Sequence, residues 1–264
     1  MKLTIDSPAN PRIKELVKLR ESPRRRRECG AFFVEGGDEL LCLARAGKTV
    51  HEIYFSTNNL DQFEDEEVWK ELGKMEIDTI RISKTAFSKA SYRSENYGMI
   101  GVVSSWNLGL GQRMIDESRP LVVLDQIEKP GNLGAILRTV EAFGGAGVIL
   151  SDPEVDFFNP NVVRSSRGLM GVVPVSQGGK EEVLDWLKNS GRKVLATSSK
   201  AKKELGNETL PSSCAIVFGS EKKGLGKFWG NSVAEWIKVP MKGSASSLNL
   251  NVSVACLLYE YLRT

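Results

Sequence analysis

Polar side chains crowd the stretch SSLNLNVSVACLLYEYL at residues 246–262, near the C-terminus. From Leu250 onward, apolar residues recur at the three-and-four spacing of one helical face, which predicts a buried helix. Four polar side chains stand at its entrance: Ser246, Ser247, Asn249 and Asn251. A helix N-cap needs only one of them. The remaining amides and hydroxyls predict a hydrogen-bonding surface at the start of the helix.

A second polar group lies in DQIEKPGNLGAILRT, residues 125–139. Pro130 and Gly131 interrupt a predicted strand, and Asn132 is a residue type that caps helices. Arg138 follows six residues later among apolar neighbours, on the second turn of the predicted helix. Two interpretations of Arg138 remain open, a surface ion pair and an inward-pointing side chain with a chemical role.

A third group lies in AIVFGSEKKGLG, residues 215–226, where an apolar strand runs into Gly219 and then Glu221. The chain has no GxxxxGK[ST] phosphate loop, and no GxGxxG follows the first long strand, so a nucleotide site of those types has little support. A carboxylate at this position would repel phosphate. It suits a cationic ligand or the N-terminus of a helix better.

Composition excludes several classes of chemistry. The single histidine, His51, has no sequence context for a catalytic triad or a zinc protease, and the four scattered cysteines form no metal-binding pattern. We therefore expect no metal site. No stretch approaches 18 apolar residues and no signal peptide is recognisable, so a cytoplasmic protein is expected. The formal net charge is +3, which is weak evidence for a nucleic-acid partner.

The elements that position these groups alternate between strand and helix after residue 118. Strands are predicted within 121–127, 147–152, 172–175, 193–199, 215–221 and 236–241. Such alternation predicts a parallel sheet covered on both faces, with ligands at the carboxyl ends of its strands. Residues 1–105 predict a smaller α/β unit, and the Gly-containing stretch 106–117 is predicted to be a linker.

Three segments together resemble the sequence motifs of the SpoU (TrmH-like) ribose 2′-O-methyltransferases of the SPOUT class, over about residues 118–264. They are PGNLGAILRTVEAFG, VFGSEKKGLG and VPMKGSASSLNLNVSVACLLYE. The resemblance implies a C-terminal trefoil knot that binds S-adenosylmethionine, and a homodimer. Residues 1–105 are similar to the N-terminal RNA-binding domain of many members, a fold like that of small ribosomal proteins.

The resemblance also implies roles for individual residues. Asn132 and Arg138 match the functional pair of the first motif, Glu221 matches the acid of the second, and Ser247 and Asn249 match the third. The expected cofactor contacts are Thr197, Gly219, Ile237 and Leu248. Two positions depart from the family pattern: Ser220 stands where Asn is frequent, and Lys222 where Gly is frequent.

RNA contacts are expected from the run Arg24, Arg25, Arg26 and Arg27 in the first domain, although a solvated charged turn would have the same sequence. Arg164 and Arg167 are either further RNA contacts or members of structural ion pairs. The predicted function is methyl transfer to a ribose 2′-hydroxyl, with ribosomal RNA favoured over transfer RNA. The alternatives are a non-catalytic RNA-binding protein on the same scaffold and a nicotinamide-dependent oxidoreductase.

Overall fold

The structure is a computed structural model that describes residues 4–56, 66–92, 98–112, 115–207, 210–211 and 213–263. The chain packs into two compact units. Unit 1 comprises Met1–Trp106 and Asp156–Val172, and unit 2 comprises Asn107–Val155 and Val173–Thr264. The segment Asp156–Val172 therefore packs with the N-terminal region, although it lies in the middle of the second predicted region. Residues 113–114 of the predicted linker lie outside the described residues.

The secondary structure of the described residues follows the predicted alternation. The strands are β1 (Thr4–Ile5), β2 (Ala31–Glu35), β3 (Val50–Phe55), β4 (Asp78–Ile82), β5 (Met99–Ser104), β6 (Leu121–Asp125), β7 (Gly147–Ser151), β8 (Val175–Gly178), β9 (Lys193–Thr197), β10 (Lys203–Glu204), β11 (Cys214–Phe218) and β12 (Glu235–Lys238). The helices are α1 (Pro11–Glu21), α2 (Pro23–Cys29), α3 (Gly37–Arg45), α4 (Glu66–Gly73), α5 (Lys84–Ala90), α6 (Pro130–Ala142), α7 (Pro160–Ser166), α8 (Lys180–Asn189), α9 (Lys227–Ser232) and α10 (Leu250–Arg263). Within the described residues, none of these helices has the length and apolar character needed to span a membrane.

Unit 1 is built on a five-stranded sheet with the order β1-β4-β3-β5-β2. β1, β4 and β3 are parallel, whereas β5 runs antiparallel to β3 and β2. Alternation along β2 sends Phe33 into the core beneath α1 and α5, and Phe32 to the opposite face. There Phe32 meets Phe158 of the returning segment and Trp106, with ring centroids 5.0 and 5.8 Å away.

Unit 2 contains a seven-stranded sheet with the order β10-β12-β9-β11-β6-β7-β8. Every pairing in it is parallel, which confirms the predicted sheet. All residues of β6, β7 and β11 are buried, so both faces of the central strands are covered. Helices α8 and α9 pack on one of these faces. The threading of the implied trefoil knot stays a prediction.

Two local predictions need correction. The strand predicted at residues 172–175 begins only at Val175; a 3₁₀ turn at Leu169–Gly171 comes before it, and residues 172–174 connect the two. The arginine run is a helix rather than a turn or extended arm. Pro23 occupies its first position, the Ser22 hydroxyl accepts the Arg25 N–H as a cap, and Gly30 ends it with φ of 59°.

Candidate functional site

Apart from Arg138, the predicted site residues of unit 2 lie at the carboxyl edge of its sheet, at strand ends or in the segments that follow them. Because all seven strands are parallel, the loops after β6, β9, β11 and β12 leave the sheet at this one edge. Phe218 at the end of β11 pairs with Leu124 of β6, and Ile237 of β12 pairs with Thr197 of β9. The backbone register therefore brings the first and second motifs side by side.

Glu221 connects the first and second motifs directly. One of its carboxylate oxygens accepts a hydrogen bond from Asn132 Nδ2, and the other forms an ion pair with Lys129 Nζ. Lys129 is the residue that precedes α6, and Asn132 lies in the first turn of that helix. The carboxylate thus sits at a helix N-terminus, one of the two environments expected from the sequence, where the helix dipole favours negative charge.

A second ion pair runs alongside the first. Lys222 Nζ lies 2.7 Å from Glu128 Oε2, so adjacent residues of the two loops are joined twice. The hydrogen bond from Lys222 lowers the pKa of the Glu128 carboxyl, and the same interaction raises the pKa of Lys222. Sequence reasoning missed Glu128 and Lys129. The signal was the order of charges, since Glu128–Lys129 and Glu221–Lys222 are two acid–base pairs at neighbouring strand ends.

Gly219 is required by the tight loop after β11. A Cβ atom on Gly219 would lie 2.1 Å from the backbone carbon of Gly224 and 2.3 Å from the nitrogen of Leu225. The loop doubles back because the Gly224 N–H donates to the Ser220 carbonyl at 2.9 Å, with Gly224 at φ of 64°. The close approach leaves no room for any other residue at position 219.

Thr197, Gly219 and Ile237 converge through hydrogen bonds. The Thr197 hydroxyl donates to the Val217 carbonyl at 3.0 Å, two residues before Gly219. The N–H of Ser198 donates to the Ile237 carbonyl at 3.1 Å. Three of the four expected cofactor contacts are therefore held on adjacent strands at one edge of the sheet.

The fourth expected contact, Leu248, lies in the segment that follows β12. It is half-buried and precedes Leu250, which lines a small cavity together with Asn132 and Glu221. The start of α10 therefore lies beside the first and second motifs.

The crowded entrance to α10 divides into a structural and an exposed part. Asn249 is the N-cap, because its Oδ1 accepts the Asn251 N–H at 2.9 Å. Asn251 Oδ1 in turn accepts the Thr139 hydroxyl at 2.8 Å, which fastens α10 to α6. Ser246 and Ser247 are exposed. Capping uses the side-chain oxygen of Asn249 and leaves its amide group as a donor.

Arg138 lies on the exposed side of α6. Across the residues that the structure describes, its guanidinium makes no hydrogen bond or ion pair, so the surface ion pair considered from the sequence is not found. The side chain is exposed, so it does not point inward either. The structure does not place Arg138 in contact with Asn132, Ser247 or Asn249. Its donors are available to an anionic ligand.

The arginine run of unit 1 likewise contains both a structural residue and residues at the surface. Arg26 is only 2% exposed, donates to the carbonyls of Leu19 and Arg20, and pairs with Asp156 at 2.6 Å. It is part of the core of unit 1, so the expectation that it contacts RNA is corrected: a guanidinium buried under these partners cannot reach a phosphate.

The remaining predicted RNA contacts are at the surface or half-buried. Arg24 pairs with Glu28, and Arg25 pairs with Glu15, which lowers the pKa of the Glu15 carboxyl. Three others make no ion pair within the described part of the chain: Arg27, Arg164 and Arg167. The structural ion pairs considered for Arg164 and Arg167 are thus absent from that part of the chain.

Two family models match the chain on either side of the predicted linker. Residues 119–259 match the SpoU rRNA Methylase family, and residues 10–101 match the MRM3-like substrate binding domain. The first match covers all three motifs and more than half of the chain.

Similar proteins extend the match to nearly the full length. A 23S rRNA (adenosine(1067)-2′-O)-methyltransferase of Streptomyces azureus is 28% identical, over 97% of this chain and 94% of that protein. A crystal structure described as an RNA 2′-O ribose methyltransferase superimposes with a TM-score of 0.86 at 31% identity, covering 99% of this chain and 98% of the other. The SpoU methyltransferase AviRb of Streptomyces viridochromogenes, in complex with the cofactor AdoMet, has a TM-score of 0.84 at 25% identity and covers 96% and 97% of the two chains. The chain belongs to the SpoU rRNA methylase family.

Proposed function

We propose that this protein transfers a methyl group from S-adenosylmethionine to a ribose 2′-hydroxyl of RNA, most specifically of ribosomal RNA. The observation that carries the proposal is the hydrogen bond between Asn132 and Glu221, which joins two family motifs at the carboxyl edge of a parallel sheet. Family membership and full-length similarity to an rRNA 2′-O-methyltransferase support the same activity.

The residues at this edge fit S-adenosylmethionine. Within the described residues, the backbone of 240–248 makes no hydrogen bond to other backbone groups, so its N–H and C=O groups are available to a ligand. Thr197, Gly219, Ile237 and Leu248 would hold the adenosyl group, mainly through main-chain atoms. When bound, the cofactor supplies an electrophilic methyl group on a sulfonium.

The protein's contribution is then positioning and charge stabilisation. Holding the ribose oxygen in line, about 3 Å from the methyl carbon, lowers a barrier by about 7–11 kcal/mol. Arg138 would bind a substrate phosphate and stabilise the oxyanion that develops on the ribose. A guanidinium keeps its proton, so the hydroxyl proton passes to an acceptor other than Arg138. Asn132, fixed by Glu221, and the polar groups of Ser247 and Asn249 would orient the ribose.

Ribosomal RNA is favoured by the fraction of this chain that each similar protein matches. The S. azureus rRNA enzyme matches across both regions of this chain. The Putative TrmH family tRNA/rRNA methyltransferase YacO of Bacillus subtilis, 32% identical, matches over only 54% of this chain. Transfer RNA is the alternative substrate. The domain division 1–105, 106–117 and 118–264, with RNA binding by the first part, belongs to the same proposal, as does a cytoplasmic location.

A homodimer formed through the methyltransferase domain also belongs to the proposal. Three large apolar side chains of α10 are exposed and fall on one side of the helix: Val252, Tyr259 and Leu262. An apolar surface of this type is typical of an association site. Light scattering of the wild type and of Leu262→Glu tests the dimer; a monomeric wild type would contradict it.

The activity is tested by incubating the protein with labelled S-adenosylmethionine and unmodified total RNA, followed by mapping of the methylated ribose. Label in 23S or 16S rRNA at a 2′-oxygen is expected. Label confined to tRNA would select the alternative substrate. RNA binding without transfer would select the non-catalytic alternative.

Arg138→Ala is the sharpest variant for the mechanism. It should reduce turnover to background while the affinity for S-adenosylmethionine, measured by calorimetry, stays unchanged. Arg119→Ala is the matched control, because Arg119 is an exposed arginine of the same unit that pairs with Asp116. Wild-type turnover in Arg138→Ala would remove Arg138 from the mechanism.

A further inference from the structure

A lysine-rich cleft opens at the β10–β12 side of the unit 2 sheet, apart from the Asn132–Glu221 contact. It has a volume of about 500 Å³, within the range of ligand-binding pockets. Its principal lining residues are Ser198, Lys200, Lys202, Lys203, Glu235 and Trp236. We call it the lysine cleft.

Positive charge is concentrated around the lysine cleft. Glu235 pairs with both Lys193 and Lys203, at 2.8 and 3.3 Å, and Glu204 pairs with Lys238 at 3.1 Å. Hydrogen bonds from Lys193 and Lys203 hold the pKa of the Glu235 carboxyl below its usual value, so it stays ionised at neutral pH.

Two further lysines are not neutralised. Lys200 and Lys202 are exposed and form no ion pair within the described part of the chain. Five lysines against two glutamates leave these seven residues with a charge of +3, equal to the formal net charge of the entire protein. Among the residues that line the cleft itself, three lysines stand against one glutamate, so the cleft is a local attractor for anions.

The loop that carries these lysines is fixed to the sheet. The Ser198 hydroxyl accepts the Lys200 N–H at 3.2 Å, and the Ser198 carbonyl accepts the Ala201 N–H at 3.1 Å. Beyond the loop, β10 pairs with β12. A rigid loop holds its charges in place before a ligand arrives, which lowers the entropic cost of binding.

Trp236 supplies a flat surface within the cleft. Its indole N–H donates to the Val233 carbonyl at 3.0 Å, which sets the ring orientation, and part of the ring packs against the core. Lysines beside an anchored aromatic ring are the combination with which proteins bind single-stranded nucleic acid, through phosphates and base stacking.

The lysine cleft adjoins the expected cofactor contacts. Ser198 follows Thr197 directly, Trp236 precedes Ile237, and the Ser198 N–H binds the Ile237 carbonyl. A nucleic-acid strand held in the cleft would therefore run beside the methyl donor.

We propose that the lysine cleft binds the phosphate backbone of the substrate RNA, with Lys200 and Lys202 contacting phosphates and Trp236 stacking on a base. This inference rests on the proposed RNA methyltransferase function. It assigns to unit 2 an RNA contact of its own, separate from the arginines of unit 1.

The test is the double variant Lys200→Gln/Lys202→Gln, assayed for RNA binding over a range of salt concentrations and for methyl transfer. Each lost phosphate contact reduces the salt slope of binding to a single strand by about 0.7, so a decrease of about 1.4 is expected. The affinity of the variant for RNA at low salt should be on the order of tenfold below that of the wild type. This difference in affinity between the two proteins should narrow as the salt concentration increases. KM for RNA should rise correspondingly, with kcat and S-adenosylmethionine affinity unchanged.

Two controls separate this effect from a general loss of charge. Lys188→Gln/Lys227→Gln removes two exposed lysines elsewhere on unit 2 and should retain the wild-type slope. Lys200→Arg/Lys202→Arg keeps both charges and should restore binding. A wild-type salt slope in the Lys200→Gln/Lys202→Gln variant would overturn the proposal. Wild-type protein that binds RNA without methyl transfer would instead overturn the enzymatic activity, since the slope is measured without turnover.

Discussion

Two of the ion-pair groups, one in each unit, differ in how deeply they are buried. In unit 1, Arg26 is buried, and its ion pair with Asp156 helps to attach a distant segment of the chain. In unit 2, Glu221 and Glu128 pair with lysines at the rim of the sheet, where side chains meet solvent. Arginine in unit 1 is thus partly structural, whereas Arg138 in unit 2 is left available.

This difference follows from how each unit is assembled. The sheet of unit 2 is wholly parallel, so its topology gathers strand-end loops at one edge without further help. Unit 1 has a mixed sheet, and one face of β2 is completed by Asp156–Val172, more than a hundred residues later in sequence. Unit 1 therefore needs a segment from far along the chain to cover its sheet, while the parallel topology of unit 2 brings its strand-end loops together.

The largest effect is expected from Phe157→Ala in unit 1. Phe157 is buried, and its ring lies 5.2 Å from Phe158 and 5.9 Å from Trp106. Truncating a buried phenylalanine costs about 3–5 kcal/mol of unfolding free energy, which denaturant unfolding would measure. Lys188→Ala, at a side chain that is 62% exposed on α8 of unit 2, should cost under about 0.5 kcal/mol. Equal losses in the two variants would contradict the contrast between the units.

Asp156→Asn should come next, with a loss of about 3 kcal/mol, because it leaves the Arg26 charge buried without its counterion. The value lies at the low end for buried pairs because Asp156 keeps 19% of its side chain exposed. Arg26→Met/Asp156→Leu should recover most of the loss, since an apolar pair has no charge to desolvate. Arg24→Met, at a largely exposed side chain, is the control. A double variant less stable than Asp156→Asn would show that the ion pair itself stabilises unit 1.

The sequence allowed prediction of unit 2 far better than of unit 1. Apolar runs such as β6 mark buried parallel strands by themselves, and parallel strands must end at a common edge, so Asn132 and Glu221 could be expected to meet. The contact of Phe158 with Phe32 has no local signature, because it joins residues far apart in sequence. Burial of Arg26 was unpredictable for the same reason: its counterion, Asp156, is 130 residues away.

The roles of the named site residues came from the family resemblance rather than from the physics of the sequence. Sequence patterns alone marked strand ends and a polar helix entrance, but could not distinguish Asn249, which caps α10, from Ser247, which is exposed. Hydrogen-bond partners depend on the loop conformation after β12, and that stretch has no periodicity from which to predict it.

Gly219→Ala tests whether the loop after β11, at the carboxyl edge of the unit 2 sheet, tolerates a backbone shift. The added methyl group would overlap the backbone at Gly224, and relief of such overpacking costs about 1–3 kcal/mol. The loop must move to relieve it, so affinity for S-adenosylmethionine should fall by about tenfold or more in calorimetry. Gly230→Ala is the matched control, because beyond its own helix backbone and chain neighbours no atom lies within 4 Å of its Cβ position in α9. Unchanged cofactor affinity in Gly219→Ala would remove this loop from the cofactor site.

The smallest effect is expected from the pair between Glu128 and Lys222. Because Lys222 lowers the pKa of the folded-state Glu128 carboxyl, the pair stabilises the protein above the usual Glu pKa of 4.5. That contribution is lost as the pH falls through the lowered pKa. Lys222→Met should return the Glu128 pKa toward 4.5, as followed by NMR titration of its side-chain carboxyl, and should lower Tm slightly at pH 7 but not below the folded pKa. Lys188→Met, far along the chain on α8, should leave the Glu128 titration unchanged. If the Glu128 pKa stayed low in Lys222→Met, the ion pair would not be its cause, and the two loops at the rim would be joined only through Glu221.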